Sequence, residues 1–397
     1  MQQKKHFLVQ VKTGIIVEEI RTAMKRKKTT LILIGIACAA ILAVCVKKYY
    51  LPTPYGRMLE SGLREQFYLL RSGGQPHEDQ ISSADITDHY RLEYANAMDP
   101  LNLITYAGNR QICHPKVLFI EEGFAGHAYW MAYTPYPWYI EEFENPCIAC
   151  SDDGYTWTNI NGNPIDDPRG DGYDSDTHLV YREDTGELEC WYRYVSNTAA
   201  LPVHEVLCYR TSKDGIHWSD EIIALDSAGE IFSHYLSPAL IWTGKEYMIW
   251  VVCIENGEYA IDQYTYNGTD EPVFVRRTQL EYYEEETGIH HTPWHLDVIE
   301  DNGRYVFLVM AKNPSGDRHW VLFLTESEDL VSFSTPKVVM RGAQHGWDNN
   351  MYRSSIVKTD SEYRIYYSAM NWRGVHGLGV SVSDHLGDFV GYGRVKP

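Results

Sequence analysis

The sequence predicts an all-β fold: a five-bladed β-propeller over residues 99–397, preceded by an N-terminal transmembrane helix and a short, partly helical stalk. Three observations carry this prediction. An uncharged apolar run lies near the N-terminus, a unit of about sixty residues recurs five times, and a turn rich in Ser, Asp and Gly returns at the same place in that unit.

Thr29–Val46 reads TTLILIGIACAAILAVCV, eighteen residues without a charge, near the lower limit of roughly 17–25 for crossing a bilayer. Lys25-Arg26-Lys27-Lys28 precede it directly. Positive charge is retained on the cytoplasmic side, so 1–28 is expected inside, 29–46 as a single-pass signal anchor, and the remainder outside the cell membrane. A cleaved signal peptide is the rival reading, but the leader is long and no small-x-small site follows the apolar run. A short cytoplasmic stub with no other targeting signal suits a bacterium. Residues 47–98 read as a stalk or linker: Met58–Leu70 has helical spacing of its apolar residues until Gly73, Gly74 and Pro76 break it.

Charge narrows the partners. Residues 1–48 carry a net +8, and the −19 of the whole 397-residue chain leaves about −27 for the rest. A domain that acidic repels phosphate backbones, which argues against nucleic acid. Of the eight Cys, Cys190 and Cys208 flank an expected hairpin symmetrically, so a cross-strand disulfide is open to them. Cys147 and Cys150 form a C-x-x-C within an expected strand, without a second pair at zinc spacing, and read as small buried thiols.

From residue 99 onward, short β-rich runs alternate with turn residues. Five runs align, opening at His114, Asp176, Ser237, His295 and Arg353, with spacings of 62, 61, 58 and 58. Each is followed by an aromatic-rich second strand (AYWMAYT, LECWYRY, EYMIWVV, YVFLVMA, YRIYYSA), a polar loop, and a third strand. One such unit is a propeller blade. The outer strand that closes the ring is expected from either Leu101–Ala107 or the tail Phe389–Val395.

Four third strands run into turns: Ser151-Asp-Asp-Gly-Tyr-Thr-Trp157, Ser212-Lys-Asp-Gly-Ile-His-Trp218, and looser copies at Ser327–Phe333 and Ser383–Phe389. Their Asp residues read as turn-formers, with Gly supplying positive φ. These turns resemble the Asp-box-like turns of sialidases, and the five-blade pattern resembles the superfamily of glycoside hydrolase families 43, 32 and 130. The resemblance covers about 99–397 and implies a carbohydrate-active propeller. Those families place Asp, Asp and Glu on successive inner strands. Here the matching positions are His114, Asp176 and Ser237, so the standard triad does not carry over.

In a propeller, the starts of the inner strands and the loops between second and third strands share one face. Alternation puts the first and third residues of each inner strand on one side. The expected upper layer is therefore His114, Asp176, Ser237, His295 and Arg353, above Lys116, His178, Ala239, Asp297 and Ser355. Mutual pairing around a wet channel is the bland explanation. Loops rich in aromatic groups favour a sugar site: Tyr136 and Trp138 in the first blade, Trp294 beside His295, and Trp347 with Asp348 before the fifth inner strand.

Glycoside cleavage needs two carboxyls flanking the bond. Asp176 is the first candidate, with Glu205, Glu144 and Asp297 as possible partners, the acid among them held protonated by an apolar pocket. His114, His178, His295 and Arg353, with the aromatic residues and Asp348, are the expected substrate contacts. His290, His291, His295 and Asp297 match no standard zinc motif, so no catalytic metal or other cofactor is expected; a structural Ca²⁺ in the channel is the alternative. The expected function is a membrane-anchored glycoside hydrolase or related glycan-processing enzyme acting on surface or secreted polysaccharide. A non-catalytic glycan-binding propeller and an envelope-assembly scaffold are the competing readings.

Overall fold

The computed structural model describes residues 25, 44, 46–71, 94–196, 204–226, 235–316, 319–343 and 346–394. The expected cytoplasmic segment 1–28 and membrane anchor 29–46 lie outside these except for Lys25, Val44 and Val46, as do residues 72–93 of the stalk. No helix among the described residues is long and apolar enough to cross a membrane. The chain divides into two compact units, Met1–Arg64 and Glu65–Pro397. Helix α1 (Pro54–Arg71) realises the helical spacing read in the stalk. The Thr53 hydroxyl accepts the Gly56 N–H at 3.1 Å, capping a helix that opens with proline.

Five antiparallel sheets follow, each built from consecutive strands. Blade one is β1 (Ile112–Phe124), β2 (His127–Pro135), β3 (Cys147–Ser151) and β4 (Thr158–Asn159). Blade two is β5 (Gly172–Arg182), β6 (Glu187–Ser196), β7 (Glu205–Ser212) and β8 (Ile222–Asp226). Blade three is β9 (Leu236–Trp242), β10 (Tyr247–Glu255), β11 (Glu258–Tyr266) and β12 (Val273–Thr278). Blade four is β14 (Ile289–Asp301), β15 (Arg304–Lys312), β16 (Trp320–Ser327) and β17 (Lys337–Arg341), with β13 (Tyr282–Glu284) paired to the front of β14. Blade five is β18 (Asn350–Lys358), β19 (Tyr363–Met370), β20 (His376–Ser383) and β21 (Val390–Gly391). The first hairpins of blades one and four turn on Ala125-Gly126 and Asn302-Gly303, with both residues at positive φ, the twist that two-residue hairpins require.

The inner strands β1, β5, β9, β14 and β18 pack in sequence, and β18 returns to β1, closing the ring. Each neighbouring pair of blades traps one apolar cluster. Trp130 and Ile148 meet Leu188 and Tyr192 between blades one and two, and Trp191 meets Tyr247 and Ile249 between two and three. Equivalent clusters seal the other three interfaces. The aromatic second strands thus bind blades face to face.

The Ser-Asp-Gly turns do what the sequence suggests. The Asp153 carboxylate accepts the N–H groups of Tyr155 and Thr156, and Asp214 those of Ile216 and His217, at 2.6–2.8 Å. They also lock blades together. Arg364 and Tyr366 of blade five donate to the Asp153 and Gly154 carbonyls, and Arg276 of blade three donates to the Leu330 carbonyl of blade four. Gly215 lies so close to Trp130 of blade one that a Cβ there would fall 2.2 Å from the ring.

The tail supplies the closing outer strand, β21. The alternative Leu101–Ala107 is no strand: Leu101 and Leu103 pack between blades one and five, and the Leu101 N–H binds the Leu378 carbonyl. The Cys190–Cys208 disulfide is ruled out by register. Cys190 stands opposite Arg210 and Cys208 opposite Tyr192, so the two thiols are offset by a residue pair, and both are free and buried. Cys147 and Cys150 are buried free thiols as expected.

Candidate active site

Each inner strand carries a bulge. In blades one to three, two residues oppose one on the second strand, and the first of them, His114, Asp176 or Ser237, adopts φ of 51°, 56° or 55°. Blade five bulges at Tyr352-Arg353, so Tyr352 takes the leading place that sequence alignment gave to Arg353. Blade four bulges at Trp294, immediately before His295. A bulge kinks the strand and re-aims its side chain, here towards the axis.

All five blades meet at Asp176. His114 Nε2 lies 3.5 Å and His295 Nδ1 3.3 Å from Asp176 Oδ1. Arg353 NH1 is 3.2 Å from the same oxygen, and its other amino group donates to the Pro238 carbonyl across the channel. Arg193 NH2 lies 3.0 Å from Asp176 Oδ2, which also accepts the Ser237 N–H at 3.3 Å. All these side chains are buried. Burial works against ionisation of Asp176, but Arg193, His114 and His295 overcome it and hold the carboxyl well below its usual range. Burial pushes the His114 imidazole well down and takes His295 to about 4, despite the pull of Asp176, so both rings are neutral at pH 7.

Glu144 sits beside this hub, with Oε2 3.4 Å from His114 Nδ1, which is itself 2.9 Å from the Thr134 hydroxyl. Burial first, and then the Asp176 charge, push its carboxyl well above the usual range. Rings border the cluster. The Tyr136 ring centroid lies 6.3 Å from that of His114, and Tyr352 lies 5.5 Å from His114 and 4.5 Å from His295. His376 lies 5.2 Å from Tyr136. Trp294 meets His295 edge-on and carries the Lys312 ammonium 3.3 Å from its centroid. Trp138 is half-buried at φ 50°, its N–H donating to Gln111.

The other expected residues lie elsewhere. Asp297 is in the layer below: Lys116 binds one oxygen at 2.7 Å, and the Ile356 N–H donates to the other at 2.9 Å. In the same layer His178 Nε2 takes the Leu240 N–H, and Ser355 takes the Val117 N–H. Third residues of the inner strands therefore stitch one blade to the next. Glu205 stands behind Arg193, at 3.2 Å, and does not reach Asp176 directly. Trp347 and Asp348 are not at the mouth. Trp347 stacks on Tyr367, and Asp348 accepts from Asn96 and Tyr367, because that loop clamps segment 94–97 to blade five.

Sequence reasoning missed Arg193, Tyr352 and His376. Arg193 carried a signal, as a cation inside the aromatic strand LECWYRY, and His376 opens a third strand as Glu205 does. Tyr352 carried none, since the bulge register sets its place.

The donor set at the hub has the composition of a metal site. One ligand atom from each of His114, Asp176 and His295 lies within 4.8 Å of the others. Asp176 Oδ1, both ring nitrogens of His295 and Glu144 Oε2 are buried and make no hydrogen bond. Two neutral imidazoles and an ionised carboxylate are ligands that zinc-class ions take.

No protein-family model matches the chain. The sequence is 27% identical over 320 residues to the A type blood N-acetyl-α-D-galactosamine deacetylase of Flavonifractor plautii, an alignment covering 66% of this chain and 40% of that protein. The chain thus spans about two fifths of that relative's length. A crystal structure of an N-acetylgalactosamine deacetylase from F. plautii with blood group B trisaccharide has a TM-score of 0.61 at 21% identity, covering 72% of this chain and 93% of that one. An exo-1,5-α-L-arabinanase from a bovine ruminal metagenomic library matches at TM-score 0.51 and 13% identity (72% and 97% covered). The family 32 β-fructofuranosidase of Bombyx mori matches at 0.51 and 14% (77% and 67% covered). What these likenesses share with the ring described above is the architecture: the chain has the five-bladed β-propeller fold of glycoside hydrolase families 43 and 32.

Proposed function

We propose that the chain is a glycan deacetylase that hydrolyses the acetamido group of an N-acetylated sugar at the Asp176 hub. The observation that carries this reading is the convergence of His114, Asp176 and His295 donor atoms, two of these residues with atoms lacking a hydrogen bond. The 27% identical deacetylase supports it. His114, Asp176 and His295 would hold a divalent ion, which would supply Lewis acidity towards the amide carbonyl and towards water.

The chain's own groups do the rest. Neutral His114 and His295 leave ring lone pairs available. Arg193 and Arg353 keep Asp176 ionised and give the hub a positive field, which stabilises charge developing on the carbonyl oxygen. Glu144, its carboxyl pushed well above the usual range by burial, is placed to hold a proton and deliver it to the departing amine. Water adds to the carbonyl carbon, the C–N bond breaks, and acetate and the free amino sugar leave. Tyr136, Tyr352 and Trp294 offer ring faces and edges to the sugar.

Glycoside hydrolysis is the second reading. Asp176 and Glu144 have carboxyl pKa values driven in opposite directions, the pattern of a base paired with an acid. Purified full chain, incubated with N-acetylated glycans, separates the two. Release of acetate and free amine, lost on chelation and restored by Zn²⁺ or Mn²⁺, supports deacetylation. New reducing ends without acetate overturn it in favour of the hydrolase. Binding with neither product leaves a glycan-binding propeller.

The proposal includes membrane attachment through 29–46, supported by the uncharged run and the basic residues before it. Retention of the full chain in the membrane pellet through alkaline extraction is the expected result, and its release would refute attachment.

A further inference from the structure

Blade four holds a second cluster, apart from the Asp176 hub. Glu284, at the end of β13, is completely buried. Its Oε2 faces His291 Nε2 at 3.1 Å, His319 Nε2 at 2.9 Å and the Thr287 hydroxyl at 2.7 Å. Its other oxygen is held by Arg341, whose guanidinium also binds Glu286. A carboxylate offers about four acceptor positions over its two oxygens. Three donors on Oε2 alone are one more than its share.

The crowding resolves if the two imidazoles present lone pairs instead of protons. Separations of 2.9 and 3.1 Å between ring nitrogen and carboxylate oxygen are those of ligands about 90° apart around an ion held at about 2.0–2.2 Å, and opening them by a few tenths of an ångström reaches tetrahedral geometry. One donor atom from each of the three residues lies within 4.8 Å of the other two. His291 and Glu284 are buried, whereas the His319 side chain keeps 19% of its surface, an entry side for an ion. Strand alternation sorts the neighbouring histidines: His290 points outward to Glu281 and Tyr283, and only His291 points in.

We propose that Glu284, His291 and His319 bind a first-row divalent ion, Zn²⁺ foremost, as a structural site independent of the Asp176 hub. Two imidazoles and one carboxylate form a borderline donor set suited to such ions and not to Ca²⁺ or Mg²⁺. The three ligands come from β13, the front of β14 and the residue before β16. The ion therefore staples the β13–β14 hairpin to the connection between β15 and β16, which opens on the same face as the Asp176 hub. The residues are 7 and 28 positions apart in sequence, a spacing outside zinc-finger patterns, which is why only the fold exposes the site.

The test uses the full chain stripped by chelator and titrated with Zn²⁺ and, separately, with Co²⁺ followed by visible absorption. His319→Gln and Glu284→Gln are compared with wild type and with His295→Gln. The expected result is a bound equivalent that His295→Gln retains and that His319→Gln binds about 100-fold or more weakly, since losing a direct ligand exceeds the 10–100-fold of losing an outer-shell partner. Zn²⁺ raises the melting midpoint of wild type and of His295→Gln, and not of His319→Gln. Two equivalents in wild type support both metal sites; one equivalent lost only in His319→Gln supports this site and removes the hub metal. Stoichiometry, spectrum and midpoint shift in His319→Gln equal to wild type overturn the proposal, as does a wild type that binds no ion. If His319→Gln does not fold, anomalous scattering from Zn²⁺-soaked wild-type crystals decides, with density between the three residues expected and its absence refuting.

Discussion

Removing one partner of the Lys116–Asp297 pair tests whether the lower layer of the channel is structural. Both side chains are almost fully buried, 2.7 Å apart, in different blades. Breaking a buried pair from one side costs about 3–5 kcal/mol, because the other charge is stranded. In Lys116→Met the Asp297 carboxylate keeps the Ile356 and Val298 N–H donors, so the lower end, about 3 kcal/mol, is expected. Asp297→Asn strands an ammonium whose pKa burial already lowers; it can shed its proton, which again limits the loss to about 3 kcal/mol. In the double variant neither charge is left, and the losses are less than additive by about 2 kcal/mol. Urea unfolding followed by tryptophan fluorescence reads these values as midpoint shifts at constant slope. Single losses under about 1 kcal/mol, or an additive double variant, would refute the clasp. Asp297→Asn that stays folded yet loses acetate release more than about 100-fold would show instead that Asp297 reaches the chemistry.

Other outcomes follow from the same geometry. Glu144→Gln lowers kcat for acetate release by about 10²–10⁴ with KM little changed, measured by steady-state kinetics, because only the proton donor is lost. Gly215→Ala meets both a positive φ of 72° and the Trp130 ring, and lowers stability by more than about 2 kcal/mol in thermal melts, whereas Gly126→Ala, at φ 89° with open space, costs about 1. Asp348 carries a pKa raised by burial from 3.8 to about 6. A raised carboxyl binds its proton more tightly in the folded state, so its contribution is complete below pH 4 and lost as pH rises through 6. The loss is about 3 kcal/mol, and Asp348→Asn removes that part of the pH dependence of unfolding.

The propeller was legible because its grammar is local. Turn residues, apolar runs and the sixty-residue period all lie within one blade, and blades repeat. The leading residues were also legible, since a polar or ionisable group at the start of five successive inner strands has no packing explanation. The errors lie where position depends on contacts between blades. Trp347 and Asp348 sit next to an inner strand in sequence, yet they serve the clamp on segment 94–97. Asp297 lies in the lower layer, where strand alternation puts it, but its partners there, Lys116 and the Ile356 N–H, come from other blades. Cys190 and Cys208 look symmetric about their hairpin, and a shift of one residue pair in register separates them. The grouping of His114, Asp176 and His295 was out of reach for a similar reason: they are 62 and 119 positions apart, and no spacing rule spans three blades.

The bulges explain why the hub can exist at all. A regular strand pointing a side chain at the axis at one position points the next away, and five regular strands would leave their first residues spread around the channel wall. Left-handed backbone at His114, Asp176 and Ser237 costs about 1–3 kcal/mol at each non-glycine residue. Blades four and five bulge without that conformation, and they contribute the reach of His295 and the long Arg353 instead. Strain in three blades and side-chain length in two thus bring five contacts onto one carboxylate. Asp176→Gly separates the backbone from the charge: it relieves the strained φ and strands Arg353, while Arg193 keeps Glu205. If strain dominated, the variant would be more stable than wild type. The expected result is a loss of about 3 kcal/mol in urea unfolding, because a buried guanidinium left without its carboxylate outweighs one unfavourable φ.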